Sequence, residues 1–167
     1  CCWNCDTIVL QRVEMTGADY VFMNCHTIRA ESFKLQGNYS FQDAQNVEIY
    51  DSHFDSKDAF WNTKNVTVYN SVLDGEYLGW YSENLRLVNC VISGTQPLCY
   101  AKNLVLENCT MINTDLAFEY STVRADIKGH IVSIKNPVAG YIHAESIGEV
   151  IIDEHARNAG GCEIIIN

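Results

Sequence analysis

An apolar residue that opens a V-x-V pattern returns at a nearly fixed interval along the whole chain. It stands at Ile8, Ile28, Val47, Val66, Leu85, Leu104, Val123 and Ile142, at successive steps of 20, 19, 19, 19, 19, 19 and 19 residues. A second column follows two places later as Leu10, Ala30, Ile49, Val68, Leu87, Leu106, Ala125 and Ala144. Such a period marks a repeat architecture, in which each unit buries its apolar face only against its neighbours. Nineteen residues are too few for helical repeats of roughly 33 to 47 residues, and the L-x-x-L-x-L signature is absent. What remains is an all-β chain wound as a parallel β-helix, a β-solenoid of about eight coils. With rungs ~4.8 Å apart, the rod is on the order of 40 Å long.

Other columns keep the same beat. Thr7, Thr27, Asn46, Asn65, Asn84, Asn103 and Thr122 precede the first apolar position. Their side chains suit a turn, because they bond neighbouring backbone. A second turn column holds Asp51, Asn70, Asn89 and Asn108, followed by the small residues Ser52, Ser71, Cys90 and Cys109. Then Met15, Leu35, Phe54, Leu73, Ile92 and Met111 return to the interior. Strand, corner and strand is the reading, with each Asn amide bonding the next coil. Only two prolines occur, as expected where every amide is needed for a ladder.

Composition sets the outer bounds. A chain of 167 residues makes one domain, residues 1–167, and buries roughly 70% of its unfolded surface without disulfides. Residues 1–154 read as regular coils and 155–167 as a loop and last strand. Charged residues are 19% of the chain and the net charge is -10. That balance opposes nucleic acid and anionic membrane, whose binding needs Lys and Arg. No apolar run reaches the ~20 residues that span a bilayer. Eight Cys stand without a secretory signal, several where a small buried residue is wanted, so reduced thiols and a cytoplasmic location are expected. The opening Cys1-Cys2-Trp3-Asn4-Cys5 starts inside the repeat, which leads us to expect a cap or further coils upstream. Open solenoid ends expose strand edges, so association of copies through the ends is expected.

Five segments resemble a known family: Asn38-Tyr39-Ser40-Phe41, Asp58-Ala59-Phe60-Trp61-Asn62-Thr63, Gly75-Glu76-Tyr77-Leu78-Gly79-Trp80, Ala117-Phe118-Glu119-Tyr120-Ser121-Thr122-Val123 and Lys135-Asn136-Pro137-Val138-Ala139-Gly140. They are similar to bacterial proteins of uncharacterised function with a pectin-lyase-like, right-handed parallel β-helix, and this chain is acidic. The resemblance implies right-handed winding and brings no activity. Polygalacturonase-like motifs fail residue by residue. Asn4-Cys5-Asp6 and Asn113-Thr114-Asp115 match N-x-D, but there is no D-D pair and no R-x-K, and Gly129-His130-Ile131 stands where G-H-G is required. Pectate-lyase chemistry needs calcium-binding carboxylates and a basic proton acceptor, and a net charge of -10 repels a polyanion.

Stacking turns a 19-residue spacing into adjacency. Asp55 and Asp74 share a column, about 5 Å apart, which suits a retaining glycosidase pair or calcium, against the bland reading of two solvated loop carboxylates. Glu119 with a neighbouring carboxylate is a further catalytic candidate. Lys57 with Glu76, and the alternating Lys64, Glu83 and Lys102, read as structural charge pairs.

Asp43, Asn62, Tyr81, Tyr100 and Glu119 are read as one column flanked by Trp61 and Trp80, a stripe that could hold an extended sugar. The adjacent Phe22, Phe41 and Phe60 raise a conflict of parity, because neighbours on a regular strand cannot both face inward. If the Trp side chains face inward, they are core filling. The five His share no metal-ligand spacing, and no phosphate-binding glycine loop appears, so neither metal nor cofactor is expected. The leading expectation is a solenoid presenting an elongated surface to a neutral carbohydrate. The alternatives are a carbohydrate-active hydrolase or lyase, and a purely structural assembly module.

Overall fold

The computed structural model describes residues 2–167, so the expectation about the end at Cys1 lies outside the described residues. Among these the chain is all strand and turn, with no α-helix. The regular coils contribute β1 (Asp6–Gln11), β2 (Glu14–Thr16), β3 (His26–Glu31), β4 (Lys34–Gln36), β5 (Gln45–Tyr50), β6 (His53–Asp55), β7 (Lys64–Tyr69), β8 (Val72–Asp74), β9 (Glu83–Val88) and β10 (Val91–Ser93). After them come β11 (Leu104–Ile112), β12 (Thr122–Lys128), β13 (His130–Lys135), β14 (Ala139–Ala144), β15 (Ser146–Ile151) and β16 (Cys162–Ile166). Odd strands to β11 stack in parallel as side one and even strands as side two. β11 runs past the corner and joins them in one sheet.

Register follows the sequence period. Ile28, Val47, Val66 and Leu85 pair in succession, as do Leu35, Phe54 and Leu73. Alternation on each strand turns these columns inward, and all seven are buried. Both corners hold residues at positive φ, including Asn46, Asn65, Asn84 and Asn103 at the first and Asn70, Asn89 and Asn108 at the second. Asn tolerates that conformation better than other side chains with a Cβ. The amides close ladders as expected: Asn65 donates to Asn46 at 3.3 Å, Asn84 to Asn65 at 3.0 Å and Asn103 to Asn84 at 3.0 Å. The second corner repeats this, with Asn89 donating to Asn70 at 3.2 Å and Asn108 to Asn89 at 2.6 Å.

The third side resolves the conflict of parity, because it is not a strand. Its φ angles alternate in sign: Tyr39, Phe41 and Asp43 are positive, as are Asp58, Phe60 and Asn62 in the next coil. The backbone rotates between neighbours, so two adjacent side chains can both be buried, as Ala59 and Phe60 are. Phe22, Phe41 and Phe60 point inward with centroids 5.2 Å apart at each step, and Trp61 and Trp80 are only half-buried. Aromatic residues at positive φ store strain, on the order of 1–3 kcal/mol each. Stacking holds them there, since Tyr39 N donates to Lys57 O and Asp43 N to Trp61 O in one neighbouring coil, and Phe41 N donates to Val21 O in the other. Gly79 takes the Phe position in its coil with φ 72°, where a Cβ would stand 2.9 Å from Leu85 Cδ2.

The coils lose regularity earlier than the sequence period implies. Ser93 still pairs with Ile112, 19 residues on, but Gln96 N donates to Asp115 O and Tyr100 N to Glu119 O, so an extra residue has entered between 112 and 116. Further on, Val123 pairs with Gly140 rather than Ile142, a step of 17, and Ile142 stacks on Ala125. The cause is β13, a true strand that takes the third side and pairs with β15, leaving only residues 136–138 to connect to β14. Cys25, Cys90, Cys99 and Cys109 are buried thiols, the small-residue packing expected of them. No helix among the described residues is long and apolar enough to cross a membrane.

Candidate functional site

Three neighbouring columns of the third side face outward. The first runs Tyr20, Tyr39, Asp58 and Tyr77. The second runs Gln42, Trp61 and Trp80. The third runs Asn24, Asp43, Asn62, Tyr81 and Tyr100. Each backbone is locked to the next coil by an amide bond, as from Asp58 N to Glu76 O and from Asn62 N to Trp80 O.

The third column continues to Tyr120 and not to Glu119, which corrects the sequence reading. The residue inserted after Ile112 shifts the count, so Tyr100 N meets Glu119 O and Tyr120 follows in register. Glu119 falls one place earlier and forms a half-buried ion pair with Lys135 at 3.3 Å. The carboxylate holds the Lys135 ammonium above its ordinary pKa, first by hydrogen bond and then by charge.

The sequence-predicted binding residues do come together. Asn62 Nδ2 donates to Asp43 Oδ1 at 2.7 Å. Tyr81 and Tyr100 stack at 4.8 Å with 13° between rings, and Tyr120 follows 5.5 Å from Tyr100. Trp61 and Trp80 stack at 5.9 Å and 21°, Trp61 leans on Tyr81 at 5.0 Å, and Trp80 on Tyr100 at 5.1 Å. Trp80 is anchored through Nε1 to Gln96 O at 2.7 Å. Burial, then Glu119, raises the Tyr100 pKa.

This aromatic wall is closed at one end. Tyr120 donates to His155 O at 3.0 Å, and the Arg157 guanidinium lies 4.0 Å from its ring. The covering loop is pinned by Asn136, which donates to Asp153 at 2.8 Å, and by His155 N, which donates to Asp153 at 2.9 Å. These two bonds hold the Asp153 carboxyl below its ordinary pKa.

At the other end the wall opens into a cavity of about 370 Å³ lined by Tyr20, Tyr39, Gln42, Asp58 and Trp61. Tyr20 and Tyr39 stack at 4.7 Å to form one flank. Asp58 is the carboxyl of the cavity, and burial lifts its pKa, opposed by Lys57 and reinforced by Glu76. Lys57 is drawn away toward Glu76 at 3.9 Å and sits 5.6 Å from the Tyr77 ring. Sequence reasoning had not assigned Tyr20, Tyr39, Gln42 and Asp58 to a site. Tyr20, Tyr39 and Asp58 do recur at steps of 19, so the signal was a column like the others. Which columns face outward here depends on the alternating φ signs of this side, and spacing leaves that parity open.

Asp55 and Asp74 pair in register on the exposed face of side two, on a different side of the coil from the aromatic wall. Ser93 Oγ donates to Asp74 Oδ1 at 2.8 Å, which ties that carboxylate into its own column. Among the described residues no group of three or more His, Cys, Asp or Glu is placed to hold a metal ion. Of the charge pairs, Lys57 meets Glu76, and Lys64, Glu83 and Lys102 stack in register.

No curated protein matches this sequence significantly. The match to a family is nearly end to end: residues 1–165 fit the family described as "Protein of unknown function (DUF3737)", and the chain belongs to it.

Proposed function

We propose that this solenoid is a carbohydrate-binding domain that takes a neutral glycan on its third side. One observation carries the reading: an aromatic wall of half-buried and exposed rings, Trp61, Trp80, Tyr81 and Tyr100, runs beside hydroxyl-binding groups, Asp43, Asn62, Gln42 and Asp58. Sugars present apolar C–H faces and polar rims, and a site with aromatic surface and a few placed polar groups suits both. The negative balance of the chain favours a neutral ligand over an acidic one. A binding role is preferred to hydrolysis because glycoside cleavage employs two carboxyl groups across one bond, and the cavity lining holds one, Asp58.

Right-handed, pectin-lyase-like winding belongs to the same proposal. It is supported by the strong preference of parallel crossover connections for that hand. Buried thiols such as Cys90 and Cys109 support a reducing, cytoplasmic setting. Titration of neutral oligosaccharides, followed by tryptophan emission and calorimetry, tests the reading. Saturable quenching with matching heat is expected, and flat traces for every glycan would remove it.

A further inference from the structure

Where an aromatic column can accept a sugar depends on which ring faces are free. Trp61 and Trp80 lie one over the next along the rod, as do Tyr81 and Tyr100, so within the wall each ring covers the face of its neighbour. Tyr120 is covered in turn by Arg157. Along most of its length the wall therefore offers ring edges to solvent, which touch a sugar less fully than a free ring face does.

The exception is Trp61, the first ring of its column, since Tyr81, the first ring of the next column, is met by Trp61 at 5.0 Å. One face of Trp61 meets Trp80, and on its other side the column holds Gln42 rather than a ring, beside the cavity of about 370 Å³. That volume stands near the lower limit for small-molecule sites, roughly 300 Å³, and suits one or two sugar rings rather than a chain. The Tyr20 and Tyr39 pair forms a flank, and Asp58 and Gln42 place a carboxyl and an amide at the rim.

We infer that the glycan is held by a single neutral pyranose laid on the open face of Trp61, with Asp58 and Gln42 reading its hydroxyls. This rests on the carbohydrate-binding reading above and replaces the elongated surface with one seat. Asp58 is the specificity-determining residue. Its carboxyl is partly desolvated, and a site that bonds a particular hydroxyl rejects analogues lacking it far more strongly than apolar contact alone can. The ligand class is a pyranose with one unbroken C–H face and adjacent hydroxyls in the ring plane.

Calorimetry with gluco-, xylo- and manno-oligosaccharides from one to six units tests the seat, using the full chain and three variants. Affinity is expected to level off at two units. Trp61→Ala and the near-isosteric Asp58→Asn are each expected to weaken binding about tenfold or more, the equivalent of one charge-assisted hydrogen bond or ring contact, and Tyr100→Ala to weaken it clearly less than either. Affinity that climbs through six units, with Tyr100→Ala as damaging as Trp61→Ala, would overturn the single seat and leave the extended carbohydrate surface standing. Binding unchanged in both Trp61→Ala and Asp58→Asn would place the ligand elsewhere and overturn the seat. Silence from every oligosaccharide with the unaltered chain would remove the seat and the carbohydrate reading together.

Discussion

The Asn ladder at the first corner and the aromatic columns of the third side both repeat once per coil and both border a hollow, of about 430 Å³ beside Asn46 and Asn65 and about 370 Å³ beside Trp61, yet only the second is lined by stacked rings. In the ladder, Asn46, Asn65, Asn84 and Asn103 bond one another in succession. Repetition there is self-satisfying, since each amide is both ligand and receptor for its neighbour. On the third side the column changes identity from Gln42 to Trp61, and the packing that would have filled the step is missing. Here, then, the ring-lined hollow stands where a column stops repeating.

That contrast can be broken most severely from beneath. Phe41 lies fully buried between Phe22 and Phe60 and supports the coil that carries Gln42 and Asp43. Phe41→Ala is expected to cost about 3–5 kcal/mol in urea unfolding, since a cavity in a stacked core relaxes poorly. A loss near 1 kcal/mol would mean that the third side is not part of the cooperative core.

The ladder should respond less, and unevenly. Asn84 both donates to Asn65 and accepts from Asn103. Asn84→Ala loses two bonds of about 1 kcal/mol each and places Ala at positive φ, for a total of about 2–3 kcal/mol. Asn46→Ala, which loses the one bond accepted from Asn65 and carries the same positive φ, is expected to cost about 1 kcal/mol less in the same assay. Equal costs would show that the amide chain contributes little and backbone conformation dominates.

The smallest effect carries the opposite sign. Burial raises the Asp58 pKa, so the folded chain holds that proton more tightly than the unfolded one. Stability from this group is therefore full below the unfolded value near 3.8 and declines as pH rises through the folded value. Asp58→Asn removes the penalty and is expected to raise the melting temperature at pH 7 while leaving it unchanged at pH 3. A lower melting temperature at pH 7 would mean that the carboxylate is a structural partner, and would take away the idea that it is kept for a ligand.

Much of the fold was legible because a β-solenoid repeats its environments, so a column of residue types is a direct record of a column of positions. Ile28 over Val47 over Val66 could be paired from spacing alone. Asp55 and Asp74 were also correctly paired, but the side of the coil on which they lie takes them away from the aromatic wall. Glu119 was misplaced because one inserted residue near 113–115 shifts the third side by one before Leu104 pairs with Val123 at a step of 19 again, and spacing alone does not show so local a slip. The register of Ile142 failed for a related reason, since β13 replaces an irregular side with a strand and consumes fewer residues per coil.

By itself, then, the sequence determined the parallel coil, its 19-residue pitch, the two Asn corners and the interior columns, because those follow from period-two alternation and from side chains that tolerate positive φ. Only the tertiary structure decided what the third side does. Alternating φ signs there abolish the rule that neighbours face opposite ways, so which of Phe60 and Trp61 is core, and which face of Trp61 is left open, depends on how the neighbouring coils stack upon it.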